Sequence, residues 1–588
     1  MQPTSHDRSR RQVLAGTMVL GAGLAAPFAV EANKHPTQET TRGHEPRRGL
    51  PETPRIRAAA ELSLRNLLDD GFDDIFSRPF ELDRVAADAD LQGKIADLVV
   101  ERIVSPRRQH RPAASAIMLP KWRDHAYRKC VQLDPLDAAN FLTLAVLVGE
   151  IVEPRRLAVH ENRVFSHRFS PANNYLFDPR YTSSSFKATV LNKLSDERDT
   201  FLVQADISNF YPSIRIDRLT AALSESCVPE GIIEVLVDLL HGYESVGGLP
   251  IGPKASHIFA EAALVKADAA MIERGVDFVR FVDDYRLFAS DAATAERWLG
   301  LVTDILESEG LSLNRAKTAI SAVRRSDYAP SISHWDRTAD AGDELGQGEK
   351  KKKKDEKKGK GRPPRPSASP THRLPPAAGM IEQLKRIDTE KMLSELRAAD
   401  YVSTDQFRLF AEAVLCRGEH HLLSAIFDIL DRAPQCLPYL VQVLIDERQS
   451  VSKEVRNLVS AGFAERLVRG TLAIDYERLY AAKLLGTEGF TNPHAVRSYL
   501  SAGQPETSPI VLRALLDALA GRVSEDEARM LLGRYGEHGG WTRRAALRLL
   551  ADQLDVEGRQ ALRQREQRRE QWDPFVEVAL RGSAVGET

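Results

Sequence analysis

The chain has 588 residues, more than one hydrophobic core can hold, so we expect two or three domains. Hydrophobic residues make up 43% of the chain and charged residues 28%, which excludes fibrous, disordered and membrane-embedded proteins as classes. The net charge is −2, so a surface that binds phosphates must be a local basic patch. The four cysteines form no C-x-x-C pair, which disfavours a zinc site or a disulfide framework and suits a reducing compartment.

Residues 1–50 predict a disordered tail or a signal-like segment. Arginines 10 and 11 and the following apolar run, rich in glycine and alanine, resemble a twin-arginine export signal. The run is too short, and too rich in small residues, for a comfortable membrane span, and no membrane partner is expected. A disordered arm or a mis-assigned start codon would also account for these residues, and we favour those two alternatives.

Residues 51–154 predict an N-terminal helical region, since apolar residues recur every three or four positions over 56–68, 91–104 and 138–151. From 155 to 199 the chain is rich in loop residues, with arginine and lysine spread among aromatic residues. Bidentate arginine suits phosphate, so Arg163, Arg168 and Lys187 are candidates to hold a triphosphate or a nucleic-acid backbone. For each of them alone, a solvated basic surface is the preferred interpretation.

Residues 201–323 predict strands alternating with helices. A buried strand is expected at 201–206, and two short apolar strands at 276–281 and 285–289 are joined as a hairpin through Asp283 and Asp284. Helices are expected at 218–223, 231–241, 255–274 and 292–309. These elements predict an α+β sheet with helices on one face.

The last third of the chain predicts only helices. Residues 338–378, with a run of lysines and paired prolines, cannot bury a core and predict a disordered linker. Residues 379–588 then predict a succession of helices of about ten to fifteen residues. We expect a stacked array of helical hairpins, although no strict sequence period is present.

Three segments carry candidate chemistry. Asp206 ends the predicted buried strand, residues 248–256 form a glycine- and proline-rich loop that opens a helix, and Asp283 and Asp284 lie at a hairpin tip. Adjacent ionised aspartates repel each other unless cations neutralise them, and two Mg²⁺ ions would do so and would promote phosphoryl transfer. Each segment alone is more often a turn, a loop or a cap. Their conjunction and order predict a catalytic site.

These segments resemble the motifs of reverse transcriptases. Residues 206–214 resemble motif A, 248–256 resemble motif B, and 281–284 resemble motif C, where the family commonly has Tyr-x-Asp-Asp. Residues 310–318 are similar to motif D. The resemblance covers about a third of the chain. It implies an α+β right-hand palm with fingers over 155–337, followed by an all-α helical-repeat (HEAT-like) domain over 379–588.

The resemblance also implies roles for the acidic residues. Asp206, Asp283 and Asp284, with the backbone carbonyl of Ile207, would hold two Mg²⁺ ions, which Mn²⁺ can replace. Lys317 matches a motif D lysine proposed to protonate the leaving pyrophosphate. A surface lysine on a strand explains Lys317 equally well.

Other residues of the motifs are implied to bind the nucleotide. Tyr211 lies five residues after Asp206 and matches the family's steric gate, whose ring lies where a ribose 2′-hydroxyl would project, so we expect deoxynucleotides. A core tyrosine is the alternative, because either Tyr211 or Phe210 must face inward. The remaining nucleotide-binding candidates are Phe210, Pro250 and Gly252. His160 and His167 are expected to be structural.

Several features resemble one lineage, the bacterial abortive-infection and defence-associated ("unknown group") reverse transcriptases. They are the Leu249-Pro250-Ile251-Gly252-Pro253 form of motif B, the segment 163–169 and the helical C-terminal region. The sequence departs from the wider family at Ile251, where glutamine is frequent, and at Phe281, which replaces tyrosine. Nucleotide selection and template contact are therefore expected to differ from the retroviral pattern.

The function implied is Mg²⁺-dependent addition of dNTPs to a nucleic-acid or protein primer, in antiphage defence. Expected partners are dNTPs, an RNA or DNA primer–template, a non-coding RNA, and a second copy or another protein bound by the C-terminal helices. The alternatives are an RNA-templated reverse transcriptase of a mobile element and a non-catalytic nucleotide-sensing palm. Because dNTPs are kept inside the cell, a cytoplasmic location is expected, which disfavours the export signal.

Overall fold

The structure is a computed structural model that describes most of the chain beyond residue 48. The described residues are 49–71, 76, 79–105, 114–120, 126–195, 200–243, 247–323, 384–449, 451–503, 507–569 and 573–581. The predicted linker at 338–378, and the predicted tail apart from residues 49–50, lie outside them.

Four helices build the N-terminal region, and they include all three predicted helical stretches. They are α1 (Thr53–Asp70), α2 (Phe80–Ala86), α3 (Ala89–Val104) and α4 (Pro135–Val152). Helix α4 packs against α1 and α3. The stretch Pro135–Arg155 has the length and apolar composition of a membrane span, but 89% of it is buried inside the protein, as expected for a core helix.

A β-hairpin interrupts this helical region, and the sequence analysis did not predict it. Strands β1 (Ala114–Pro120) and β2 (Tyr127–Leu133) pair antiparallel. Side chains Ile117, Leu119 and Cys130 of the hairpin belong to the hydrophobic core of the C-terminal helices. The hairpin was missed because its apolar residues face a partner distant in sequence.

The central sheet has four antiparallel strands in the order β6-β7-β5-β8. These strands are β5 (Thr200–Asp206), β6 (Phe278–Phe281), β7 (Asp284–Ala289) and β8 (Ala319–Val323). Five helices accompany them, namely α6 (Phe210–Ser213), α7 (Ile216–Glu225), α8 (Glu230–Gly242), α9 (Ala255–Glu273) and α10 (Ala292–Ser308). Helix α10 packs on β5 and β7.

The sheet is covered on both faces, which corrects the expectation of helices on one face. Val203 and Ala205 of β5 point into the main core, whereas Leu202 points to the opposite side, as the two-residue period of a strand requires. There Phe186 and Val190 of α5 (Ser183–Leu194) cover it. Two short strands, β3 (Phe169–Ala172) and β4 (Tyr175–Phe177), precede α5.

The described part of 389–580 contains helices and no strand. The helices are α11 (Thr389–Ala398), α12 (Thr404–Arg417), α13 (Ile426–Leu430), α14 (Leu437–Asp446), α15 (Lys453–Arg469), α16 (Asp475–Gly486), α17 (Pro493–Ala502), α18 (Pro509–Ala518), α19 (Glu525–Tyr535), α20 (Gly540–Ala551), α21 (Val556–Gln567) and α22 (Pro574–Leu580). From α12 to α22, each even-numbered helix packs on the next even-numbered one. This row shares one hydrophobic core with the β1–β2 hairpin.

Candidate active site

The end of β5 brings the predicted aspartates together. Asp206, the last residue of β5, is the register partner of Asp284, the first residue of β7. Phe281 pairs with Asp284 across the β6–β7 hairpin, so Val282 and Asp283 form its two-residue tip. Strands β5 and β7 are antiparallel neighbours, so the C-terminal end of β5 and the N-terminal end of β7 place all three carboxylates at the same end of the sheet.

The hairpin tip is backbone-strained and firmly held. Val282 has a φ of 57°, a left-handed conformation that a β-branched side chain disfavours. The guanidinium of Arg280 donates a hydrogen bond to the Val282 carbonyl (2.9 Å), and the Ile207 N–H donates to the Asp283 carbonyl (3.0 Å). Such strain persists only where the surroundings impose it, and it is concentrated at functional sites.

Electrostatic repulsion is built into this end of the sheet. Burial, followed by repulsion from Asp206 and Asp284, raises the pKa of Asp283 to about 7. Burial also raises the pKa of Asp284, although the neighbouring Arg286 opposes the change. A cation among these carboxylates would relieve both effects.

Two cationic side chains lie against the carboxylates. Arg286 forms an ion pair with Asp284, and the Lys317 Nζ lies 3.5 Å from an Asp206 oxygen. Over the described residues, no three His, Cys, Asp or Glu side chains are already arranged as a metal cage. The donor set itself, three carboxylates beside the Ile207 peptide, consists of the hard oxygen ligands that Mg²⁺ prefers. The chemistry of these donors therefore fits Mg²⁺.

The loop at 248–254 packs directly on the chain that follows Asp206. A Cβ on Gly248 would lie 2.4 Å from the Pro212 carbonyl oxygen, so only glycine permits this approach. The Leu249 N–H donates to the Tyr211 carbonyl (3.0 Å). Gly252 has a φ of 128°, a second position in this loop that favours glycine. The loop is thus held against the segment that follows Asp206.

Comparison with known proteins supports this geometry over part of the chain. Residues 160–354 match the family described as "Reverse transcriptase (RNA-dependent DNA polymerase)". The chain contains a reverse-transcriptase domain. No curated protein matches the sequence.

Two solved structures overlap the chain weakly. One is telomerase from Candida albicans, described in complex with a TWJ fragment of telomeric RNA, at 12% identity and a TM-score of 0.28 over 61% of this chain. The other is apo telomerase from Candida tropicalis, at 11% identity and a TM-score of 0.28 over 66% of this chain. The chain spans 64% of the first and 72% of the second. Overlap at this level supports no conclusion about function.

The two neighbouring aromatic residues of the reverse-transcriptase domain have separate positions. Phe210 is buried in the core, at 3% exposure, whereas Tyr211 is half-buried. The Tyr211 hydroxyl lies 2.6 Å from Nδ1 of His257, a residue that the sequence analysis missed. Its signal was weak, because it is one polar residue at the start of α9. Of the two rings, Phe210 therefore faces the core, and the role of Tyr211 as a gate stays a prediction.

The three basic residues predicted to bind the nucleotide, Arg163, Arg168 and Lys187, differ in burial and in their partners. Arg168 is 2% exposed, and its guanidinium donates to the Glu153 carboxylate (3.1 Å) and the Leu157 carbonyl (2.7 Å). Arg163 forms an ion pair with Asp277 (3.0 Å), at the end of β6 away from the hairpin tip. Arg168 thus pairs within the protein interior, and its assignment to nucleotide binding stays a prediction. Lys187 is half-buried on α5 and remains a prediction.

Arg286 is a further residue that the sequence analysis missed. It stands two residues after Asp284 on β7, so both side chains project from the same face of the strand. This two-residue spacing was the available signal. Because Arg286 pairs with Asp284 and lowers the pKa of that carboxyl against the effect of burial, it belongs to the electrostatics of the site.

A buried ionic network connects the β6–β7 hairpin to helix α9. Arg280, at 0% exposure, pairs with Glu261 (2.9 Å) and forms a two-bond contact with Asp268. Arg156, from the segment before β3, also pairs with Glu261 (2.7 Å). Burial alone would raise the pKa of Glu261, but Arg280 and Arg156 outweigh it and lower the pKa to about 2. The network joins α9, the hairpin and the fingers segment.

Proposed function

We propose that this chain is a metal-dependent RNA-directed DNA polymerase. The observation that carries the proposal is the register pairing of Asp206 with Asp284, with Asp283 in the adjoining turn, inside a reverse-transcriptase domain. In two-metal enzymes, such carboxylates hold the ions that align an attacking hydroxyl with a phosphoryl group.

The chemistry proposed is addition of one deoxynucleotide to a primer. The 3′-oxygen of the primer attacks the α-phosphorus of a dNTP, the bond to pyrophosphate breaks, and the hydroxyl proton is released. Asp206, Asp283 and Asp284 would hold Mg²⁺, which when bound lowers the cost of the negative charge that develops on the attacking and leaving oxygens.

Three side chains of this protein would shape that step. Lys317, which lies beside Asp206, would give a proton to the leaving pyrophosphate. Tyr211 would exclude a 2′-hydroxyl from the sugar pocket. Arg286 would hold Asp284 in the protein without substrate and release it when a cation enters.

The test is incorporation of labelled dNTPs and, separately, NTPs by purified protein with Mg²⁺. It is run with and without an RNA template and annealed primer, beside an Asp283→Ala/Asp284→Ala variant. A matched control, Asp304→Ala, removes an exposed carboxylate of α10 that lies outside the site. We expect template-dependent dNTP addition by wild type and Asp304→Ala, and at least a hundredfold loss in the double variant, the scale of a lost transition-state contact. No incorporation by wild type with any primer or template would contradict the proposal.

We further propose that this polymerase acts in antiphage defence in the cytoplasm, with a nucleic-acid or protein primer. The support is the Leu249–Pro253 form of motif B, the 163–169 segment and the all-helical region that follows the domain. The C-terminal helices would bind a non-coding RNA, a partner protein or a second copy. Plaque counts on bacteria that express wild type or Asp283→Ala/Asp284→Ala test this role. Equal counts for both strains would favour a mobile-element enzyme or a nucleotide sensor instead.

A further inference from the structure

Three rings meet where the fingers, the motif B helix and the segment after Asp206 converge. Tyr211 lies in α6, His257 lies in the first turn of α9, and His167 precedes β3. The two imidazoles stack with centroids 3.9 Å apart and planes 10° apart. The ring of Tyr211 meets His257 edge-on at 5.6 Å, and its hydroxyl lies 2.6 Å from His257 Nδ1.

Hydrogen bonds to the backbone at His167 hold the stack in place. His167 has a φ of 45°, so its backbone adopts the left-handed conformation that non-glycine residues disfavour. The Arg156 guanidinium holds that backbone, donating to the carbonyls of His167 (2.9 Å) and Ser166 (2.7 Å). Arg156 is itself paired with the buried Glu261. The position of His257 is therefore determined by the fingers as well as by its own helix.

The hydrogen bond restricts the Tyr211 ring. A half-buried tyrosine whose hydroxyl is unbound rotates about χ1 at little cost, and a substrate can then push the ring aside. A bond of 2.6 Å to a stacked imidazole ties the far end of the ring to a second element of the protein. A substrate whose hydroxyl group would overlap this ring can then displace the ring only if the Tyr211–His257 hydrogen bond breaks.

We infer that His257 is a positioning residue for sugar selection, backed by His167. This inference rests on the proposed polymerase function. His257 acts through Tyr211: it holds the ring at the place where a ribose 2′-hydroxyl would project, and so favours deoxynucleotides over ribonucleotides.

The experiment is a double-mutant cycle on nucleotide preference. The proteins are wild type, Tyr211→Phe, His257→Leu, the double variant, His257→Asn and the control His241→Leu, which changes an exposed histidine of α8. Asparagine retains a polar atom near the position of Nδ1 and can donate or accept, whereas leucine retains only the bulk. For each protein, kcat and KM are measured for a dNTP and the matching NTP.

The expected result concerns the ratio of kcat/KM for the two nucleotides. Tyr211→Phe and His257→Leu each lower the preference for the dNTP by about three- to tenfold, the factor that one neutral hydrogen bond is worth. The change arises in kcat/KM for the NTP, which rises. The double variant shows no further loss, because both single changes remove the same bond. His257→Asn and His241→Leu keep the wild-type preference.

Other outcomes overturn the inference. An unchanged preference in His257→Leu, additive losses in the double variant, or a loss in His257→Asn equal to that in His257→Leu would assign the rings to packing alone. If wild type incorporates no nucleotide, the proposed function fails, and calorimetric titration of the same proteins with dATP and ATP in the presence of Mg²⁺ then tests the inference separately. A dATP preference that His257→Leu loses and His257→Asn keeps would support it, and equal binding of both nucleotides by wild type would overturn it.

Discussion

At the scale of single residues, the site combines backbone strain with like charges, and both lower the stability of the folded protein. Val282 is held in a left-handed conformation by Arg280, while Asp283 and Asp284 are half-buried neighbours that are both repelled by Asp206. Neither feature adds to stability. The strained turn and the adjacent carboxylates together bring the carboxylate oxygens of the site close to one another. A functional need for that arrangement explains why the protein would retain two destabilising features.

Replacing Val282 by glycine should separate stability from activity. Glycine adopts a φ of 57° without a Cβ penalty, so we expect the free energy of unfolding to stay level or rise by about 1 kcal/mol. Primer extension should fall, because the turn that carries Asp283 becomes mobile. Thermal unfolding and dNTP incorporation measure the two effects. Val468→Gly, at an exposed position in the last turn of α15, is the matched control and should lose about 0.5 kcal/mol or less instead. A comparable loss of stability in Val282→Gly would exclude strain at this turn.

Glu261 should make stability depend on acid pH. Its pKa of about 2 in the folded protein lies below the ordinary value of 4.5, so its contribution is complete above pH 4.5 and is lost as pH falls toward 2. The difference corresponds to roughly 3 kcal/mol at 1.36 kcal/mol for each pKa unit. Urea unfolding at pH 3.5, 5 and 7 should show wild type losing more stability on acidification than Glu261→Gln. The exposed Glu525→Gln should follow wild type. Parallel curves for wild type and Glu261→Gln would refute the predicted linkage.

At the scale of elements, close backbone approach explains how the motifs meet. The loop that begins at Gly248 touches the carbonyl oxygens of Pro212 and Ile214, which follow Asp206 by a few residues. On its other side, the Ile251 carbonyl accepts a hydrogen bond from the Val131 N–H of β2 (2.8 Å). Motif B is therefore held between motif A and a hairpin of the N-terminal region.

Gly248→Ala should disturb this packing, and Gly247→Ala should not. The new Cβ at 248 would lie 2.4 Å from backbone oxygen, whereas a Cβ at 247 meets nothing within 4 Å. We expect a destabilisation of about 1–3 kcal/mol, the usual cost of overpacking, and at least a tenfold loss of dNTP incorporation for Gly248→Ala only. Equal behaviour of the two variants would show that the loop yields without cost.

At the scale of the whole molecule, a buried charge cluster ties the N-terminal helices to the C-terminal array. Glu81 of α2, at 0% exposure, pairs with Arg513 of α18 (2.7 Å) and Arg544 of α20 (3.1 Å). Arg544 also contacts Asp134, before α4, and Asp573 (2.7 Å), before α22. The N-terminal helical region and the C-terminal helices are therefore joined by a contact that tolerates little change.

Glu81→Gln should be among the most destabilising single changes in the chain. It leaves two buried arginines short of a counter-charge, a situation that typically costs about 3–5 kcal/mol. We expect the midpoint of chemical unfolding to fall sharply. Glu61→Gln, which removes the partner of the half-buried Arg57 near the surface, should change stability by about 1 kcal/mol or less. The prediction fails if the two variants unfold at similar denaturant concentrations.

Local patterns in the sequence were sufficient to predict an α+β sheet and the all-helical C-terminal region, and the resemblance of short motifs predicted that the sheet is reverse-transcriptase-like. They also placed Asp206 at the end of a strand and Asp283 and Asp284 at a hairpin, because strand alternation, turn residues and helical periodicity extend over only a few residues. The catalytic roles of these aspartates stay predictions.

Contacts between side chains that are not neighbours in the sequence could be identified only in the tertiary structure. The structure revealed the β1–β2 hairpin, the packing of α5 on the second face of the sheet, the burial of Arg168 and the stack of His167 on His257. Each depends on residues outside the short window over which periodicity is read, and that periodicity records that a residue is buried but not which residue covers it.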